Sequence, residues 1–165
     1  MIWYVAQGIS FLSTFLFLYS ITTKSTKKLF MLGTFQALLN ALKNFLLGGY
    51  GGSIVQILGM FRSFLKAYDK FNGLFAFLIV FAQIILGVYL NKQGLVGYLP
   101  IFASVGYSIL LTRTKNIYII KNGLVINLIL WSIYYGILFD VVGVLTNVAY
   151  AIYTVIVIMV KVRKE

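Results

Sequence analysis

The side chains that most often carry chemistry are scarce in this sequence. It has no His and no Cys, which removes the commonest general base and metal ligand together with thiolate nucleophiles and Cys-based metal sites. Its acids are Asp69, Asp140 and Glu165, too few and too scattered for a paired-carboxylate site. No glycine-rich phosphate loop ending in Lys-Ser/Thr is present, so the chain does not hydrolyse ATP by that route. These absences argue against an enzyme and against a bound cofactor. What remains are amides, hydroxyls, aromatics and two cations set into apolar segments. At helical spacing, Gln7, Ser10 and Thr14 form one stripe, and Gln36, Asn40 and Lys43 or Asn44 form a second. Gln56, Gly59 and Ser63 form a third with Arg62 beside it, and Asp140, Gly143, Asn147, Tyr150 and Thr154 a fourth. Asn127 lies one turn from Gly123 and Trp131.

Polar atoms in hydrocarbon are costly unless partnered or wetted, so such stripes face inward. Each single residue is explained by hydrogen bonding between helices, with Gly allowing close approach. Spread over five helices, the set points to a polar central cavity. A cation at the centre of a spanning helix costs about 2.5–3.5 kcal/mol on insertion scales. Lys43, about one turn inside the end of its segment, has three explanations: snorkelling to the interface, pairing with Asp140, or binding an anionic substrate group. Arg62 lies deeper. Trp131, Tyr134 and Tyr135 suit a cavity wall, and Trp3, Tyr4, Tyr50, Tyr89 and Tyr98 an interfacial belt. Pro100 is either a first-turn proline or a hinge.

The elements that must hold these residues are membrane helices. Of the 165 residues, 61% are hydrophobic and 10% charged, with a mean hydropathy of +0.97. Soluble domains are about 25% charged, so this chain cannot cover a water-facing surface. A span needs about 20 apolar residues, and punctuation divides the chain into seven such pieces, near residues 2–21, 29–47, 53–68, 74–90, 97–111, 117–139 and 141–160. The first lacks a basic leader and a cleavage site, and reads as a spanning helix rather than a signal peptide. The net charge of +11 follows topology. Lys24, Lys27 and Lys28, then Arg62, Lys66 and Lys70, then Arg113, Lys115 and Lys121, then Lys161, Arg163 and Lys164 all fall on one side of a seven-span chain, against Lys92 opposite. Basic residues gather on the cytoplasmic side. The expectation is therefore N-terminus outside and C-terminus cytoplasmic, with no nucleic-acid partner.

Spans one to three and five to seven then run in the same directions, with span four between them. An offset of 87 residues pairs Asn40 with Asn127, Gly49 with Gly136, Ser53 with Asp140 and Leu58 with Leu145. The expected fold is all-α: a polytopic membrane protein of seven transmembrane helices in a 3-1-3 arrangement of two parallel triple-helix repeats. The units are 1–70, a linker helix in 71–94, and 95–165. Asn40 and Asn127 should face each other across the pseudo-twofold axis.

Several segments carry a family resemblance: Trp3-Tyr4-Val5-Ala6-Gln7-Gly8, the turn Leu46-Leu47-Gly48-Gly49-Tyr50-Gly51-Gly52-Ser53, Ile57…Arg62, Leu99-Pro100, and Asn127…Trp131-Ser132-Ile133. Together these resemble the YgjV-type bacterial inner-membrane family over nearly the whole chain. That family is distantly similar to the SWEET and PQ-loop superfamily of 3-1-3 proteins, which includes sugar facilitators and, with related architecture, vitamin-precursor transporters. The resemblance implies a multi-pass protein of the bacterial inner (plasma) membrane. It also implies that Asn40 and Asn127 lie where paired cavity residues are expected, with Trp131 and Asn147 as neighbours. Two features depart from the superfamily: Pro100 is the single proline, so proline hinges are missing, and Gln7 follows Ala6 where the naming Pro-Gln pair would stand.

The function expected is a small-solute transporter or facilitator working by alternating access, with a small polar substrate held by Asn40, Asn127, Trp131, Asn147, Gln36 and Gln56. Lys43 and Arg62 leave room for an anionic group. Asp140 is the one intramembrane acid, and it lies near a helix end, so downhill movement fits better than proton coupling. The competing class is a non-transporting membrane module: an assembly partner, a sensor, or the binding subunit of a larger importer. Lipid and a small molecule are the expected partners, and a monomer and a homo-oligomer are equally open. The discriminator is whether the stripes converge on a cavity of roughly 300 Å³ or more.

Overall fold

A computed structural model describes residues 1–23 and 25–162. Lys24, Arg163, Lys164 and Glu165, and the Lys161 side chain, which the charge count uses, lie outside the described residues. The helices are α1 (Ile2–Thr22), α2 (Thr26–Leu46), α3 (Tyr50–Ala67), α4 (Gly73–Tyr89), α5 (Leu99–Arg113), α6 (Ile117–Ile137) and α7 (Val141–Val162), with a 3₁₀ turn at Gly94–Tyr98 leading into α5. Three stretches are long and apolar enough by themselves to cross a membrane: Ile2–Ser20, Gly94–Arg113 and Ile117–Ile137. Gly73–Tyr89 and Val141–Ile156 are shorter apolar helices.

Local chemistry explains the breaks. Ser25, Asn72 and Asn116 cap α2, α4 and α6 by accepting the Lys28, Phe75 and Tyr118 backbone N–H, as N-cap side chains do. Asp140 does the same for α7 through Gly143 N–H at 3.0 Å. Pro100 lies in the first turn of α5, where its missing N–H costs nothing, so it is not a hinge. The α2–α3 and α6–α7 turns each pass through the left-handed region, at Gly48 (φ 78°) and Phe139 (φ 55°). The Phe139 carbonyl accepts the Trp3 indole N–H at 3.1 Å, which ties the start of α1 to that turn.

The helices pack in a closed ring. α1 packs on α2, α2 on α3, α3 on α5, α5 on α6, α6 on α7, and α7 back on α1. α4 sits outside the ring against α3 and α5. Gln83 of α4 is buried with its amide on the Val55 carbonyl, and Gly87 allows close approach to Ile101 and Val55. Outward faces carry large apolar residues such as Phe11, Phe15, Phe77, Phe81 and Ile126, which lipid solvates and water would not.

Helix boundaries in the second half fall 91 residues after those in the first, not 87. Thr26 and Leu46 bound α2 as Ile117 and Ile137 bound α6, and Tyr50 and Val141 open α3 and α7. The caps Ser25 and Asn116, the left-handed residues Gly48 and Phe139, and the helix ends Thr22 and Arg113 keep the same spacing. The two intervals differ by four residues, about one helical turn. Polar stripes therefore still overlay at 87, and the four coincidences found there mark the correct faces one turn out of register. At the 91-residue spacing Gln36 corresponds to Asn127 and Asn40 to Trp131, where the 87-residue offset pairs Asn40 with Asn127.

Candidate functional site

A cavity of about 100 Å³ lies within the ring. Along α2 it is lined by Leu29, Phe30, Gly33, Gln36, Ala37 and Asn40. Along α6 it is lined by Ile120, Lys121, Leu124, Asn127, Leu128 and Trp131. Each of the second six lies 91 residues beyond its counterpart in the first. Gln56 of α3 and Asn147 of α7, also 91 residues apart, complete this correspondence at the wall. α4 contributes no lining residue, in keeping with its place outside the ring.

The cavity begins near the α1–α2 and α5–α6 connections, at Leu29 and Lys121, and stops at Tyr135. What closes it there is a polar cluster drawn from four helices. Lys43 of α2 pairs with Asp140 at the start of α7. Asp140 also accepts the Ser10 hydroxyl of α1 at 2.9 Å and the Gly143 N–H at 3.0 Å. The Lys43 ammonium lies 3.6 Å from the centre of the Tyr135 ring on α6, within range of a cation–π contact. Lys43 and Asp140 are 1% and 0% exposed, so snorkelling does not describe this lysine. Asp140 neutralises it, and it is not among the residues that line the cavity.

The position 91 residues away is built differently. Tyr134 corresponds to Lys43, and Gly49 and Gly52 correspond to Asp140 and Gly143. Tyr134 of α6 packs its phenol onto Gly49 and Gly52 of α3, so closely that a Cβ on Gly52 would lie 2.6 Å from the hydroxyl. Each junction joins a helix of one half to a helix of the other, α2 to α7 and α6 to α3. Together they seal one end of the ring.

Arg62 is the other buried cation, at 8% exposure. It reaches from α3 to α5, where one Nη donates to the Ser104 carbonyl and the Ser108 hydroxyl, both at 3.0 Å. The guanidinium carbon lies 5.0 Å from the centre of the Tyr107 ring. Its Nε meets no hydrogen-bond partner. Beside it Asn127 donates to the neighbouring α5 carbonyl, Ala103, at 2.9 Å. Arg62, Ser63, Asn127 and Gln36 all face the cavity.

Of the residues the sequence singles out, Asn40, Asn127, Trp131, Asn147, Gln36, Gln56 and Arg62 are brought together on the cavity wall. Asn40 accepts the Ser13 hydroxyl at 3.1 Å, and Gln56 reaches the Tyr135 hydroxyl at 3.4 Å. The α1 stripe instead joins α1 to α7. Gln7 accepts the Val142 N–H at 3.1 Å, the Thr14 and Thr146 hydroxyls meet at 2.9 Å, and Tyr150 donates to the Thr14 carbonyl at 2.6 Å. Sequence reasoning did not single out Ser104, Ser108 or Tyr107, whose α5 helix is apolar enough to hide them. The signal that could have found them is the deep placement of Arg62, which demands acceptors on a neighbouring helix.

A family model, Imp-YgjV, described as a bacterial inner membrane protein, matches residues 4–165. No curated protein and no solved structure matches the chain.

Proposed function

We propose that this chain, which belongs to the Imp-YgjV family of bacterial inner membrane proteins, moves small polar solutes across that membrane by alternating access, without catalysing a reaction. The two moving units are α1–α3 and α5–α7, read as parallel triple-helix repeats joined by α4, in segments 1–70, 71–94 and 95–165. The N-terminus is outside and the C-terminus cytoplasmic. The observation that carries the reading is the cavity wall: α2 and α6 present six lining residues each in the same register, while the linker helix presents none. Packing alone does not require polar residues from both halves to converge on one void. The Lys43–Asp140 and Tyr134–Gly52 junctions then close the outer end, and both must open for release on that side.

The cavity size favours a second reading. About 100 Å³ lies below the roughly 300 Å³ of ordinary ligand pockets, as a non-transporting membrane module would have it. Under the transport reading the volume belongs to a closed conformation or to a very small solute.

The sequence has no cysteine, so Gln36→Cys in otherwise unchanged protein gives a single reporter inside the cavity. In oriented vesicles, transport requires that a small impermeant thiol reagent modify it from the cytoplasmic side, and from the outer side faster once Asp140→Asn weakens the seal. Isosmotic swelling of proteoliposomes in formamide, urea, glycerol, formate and acetate should exceed that of empty vesicles for at least one solute, and Asn127→Leu should slow it. One-sided labelling in both proteins, together with swelling equal to empty vesicles, overturns transport in favour of the module.

A further inference from the structure

We infer that the cavity holds one small monovalent anion, of carboxylate or nitrate size, at the Arg62 guanidinium. The inference deepens the transport reading by naming its substrate class, and it rests on the same cavity. It begins from charge. Guanidinium does not deprotonate in proteins, so a buried Arg requires compensation. The chain's acids are Asp69, Asp140 and Glu165. Asp69 is exposed, Asp140 is committed to Lys43, and Glu165 lies outside the described residues. Among the described residues no carboxylate comes within ion-pair distance of Arg62. Among the described residues, then, no group of the protein supplies the compensating charge, and a bound anion would.

The geometry selects the kind of anion. One Nη is turned to α5 by Ser104 and Ser108, which orients the planar group and leaves Nε without a partner. A guanidinium matches a planar two-oxygen anion in a bidentate pair. Asn127 spends one N–H on Ala103 and keeps a second, and Gln36 and Ser63 add further donors at the wall. A volume of about 100 Å³ has room for formate, nitrate or acetate. Trp131 and Tyr107 supply apolar wall for a carbon substituent.

The test uses purified full-length protein in detergent, titrated with sodium formate, acetate and nitrate, and with acetamide as the neutral isostere of acetate. Melting temperature and Trp131 fluorescence are read with Trp3 replaced by Phe. At least one anion should give a saturable rise in melting temperature and a saturable fluorescence change, with acetamide at least tenfold weaker. Arg62→Gln should weaken anion binding at least tenfold, and Arg62→Lys by less. Should Arg62→Gln fail to fold, Asn127→Asp decides, because a tethered carboxylate beside Arg62 removes the response to added anion while raising the melting temperature. Equal response to acetate and acetamide, no saturable response to any of the three anions, or unchanged binding in Arg62→Gln or Asn127→Asp overturns the site. Swelling in a neutral solute without anion binding leaves transport standing and removes this inference. Anion binding without flux supports the site and removes transport.

Discussion

Lys43 against Asp140 and Gly143, and Tyr134 against Gly49 and Gly52, occupy the same place in the two halves of the ring. Both join the halves, and both stand at the sealed end of the cavity. One is an ion pair with a helix cap, a serine and an aromatic ring around it, and the other is a phenol laid on glycines. The comparison teaches that a repeat can preserve a position and exchange its physics. A buried charge pair adds little net stability over an apolar pair, because desolvation offsets the attraction, but losing one partner is very unfavourable. Aromatic-on-glycine packing depends on shape, falls off within tenths of an ångström, and leaves no charge behind when it opens. The seal therefore has an electrostatic half, sensitive to charge, and a steric half, sensitive to volume.

The largest expected effect tests the electrostatic half. Asp140→Asn keeps an oxygen for the α7 cap and for Ser10 but strands the Lys43 ammonium, and should cost about 3–5 kcal/mol of stability. Adding Lys43→Met should restore most of the loss, because apolar replacement of a whole buried pair is near neutral. Denaturation in mixed detergent micelles gives both values. Recovery absent from the double variant would break the idea that charge, rather than shape, holds this junction.

Next comes the steric half. Gly52→Ala places a Cβ 2.6 Å from the Tyr134 hydroxyl and 2.7 Å from its ring. Overpacking of this kind costs about 1–3 kcal/mol, reduced by as much as about 1 kcal/mol through better helix propensity. The same denaturation experiment should find this variant destabilised whatever the charge state of Lys43. The smallest effect belongs to Tyr134→Phe, which keeps the ring and removes one neutral hydroxyl. Its cost should stay at or below about 1 kcal/mol, and a larger loss would show that the two junctions are both polar after all.

Much of this was legible in the residues. Seven helices followed from apolar runs near span length, broken by Thr-Lys, Gly and Asn-Gly punctuation, because a span must satisfy its backbone internally. The grouping of amides on α2, α3 and α6 followed from helical spacing, since one face of a helix is set by period alone. Asp140 read as the one intramembrane acid, placed near a helix end just before the last apolar run. The register of the repeat was harder. Apolar sequence tolerates a shift of one turn without changing which face is polar, and only the caps at Ser25 and Asn116 and the left-handed residues at Gly48 and Phe139 fix it at 91.

The sequence by itself determined composition, spans, polar faces and the supply of charge: two buried cations, and few acids to meet them. It could not determine which cation meets an acid. Lys43 and Asp140 are 97 residues apart, and each is explained locally by other means, as a snorkelling lysine and a helix cap. Closing the ring, with α7 returned against α1, brings Asp140 to Lys43, and it leaves Arg62 facing a cavity with no carboxylate of the described residues beside it. The physical reason is range. Hydrophobic period and capping act within a few residues along one helix, whereas a salt bridge in low dielectric is decided by which helices lie side by side.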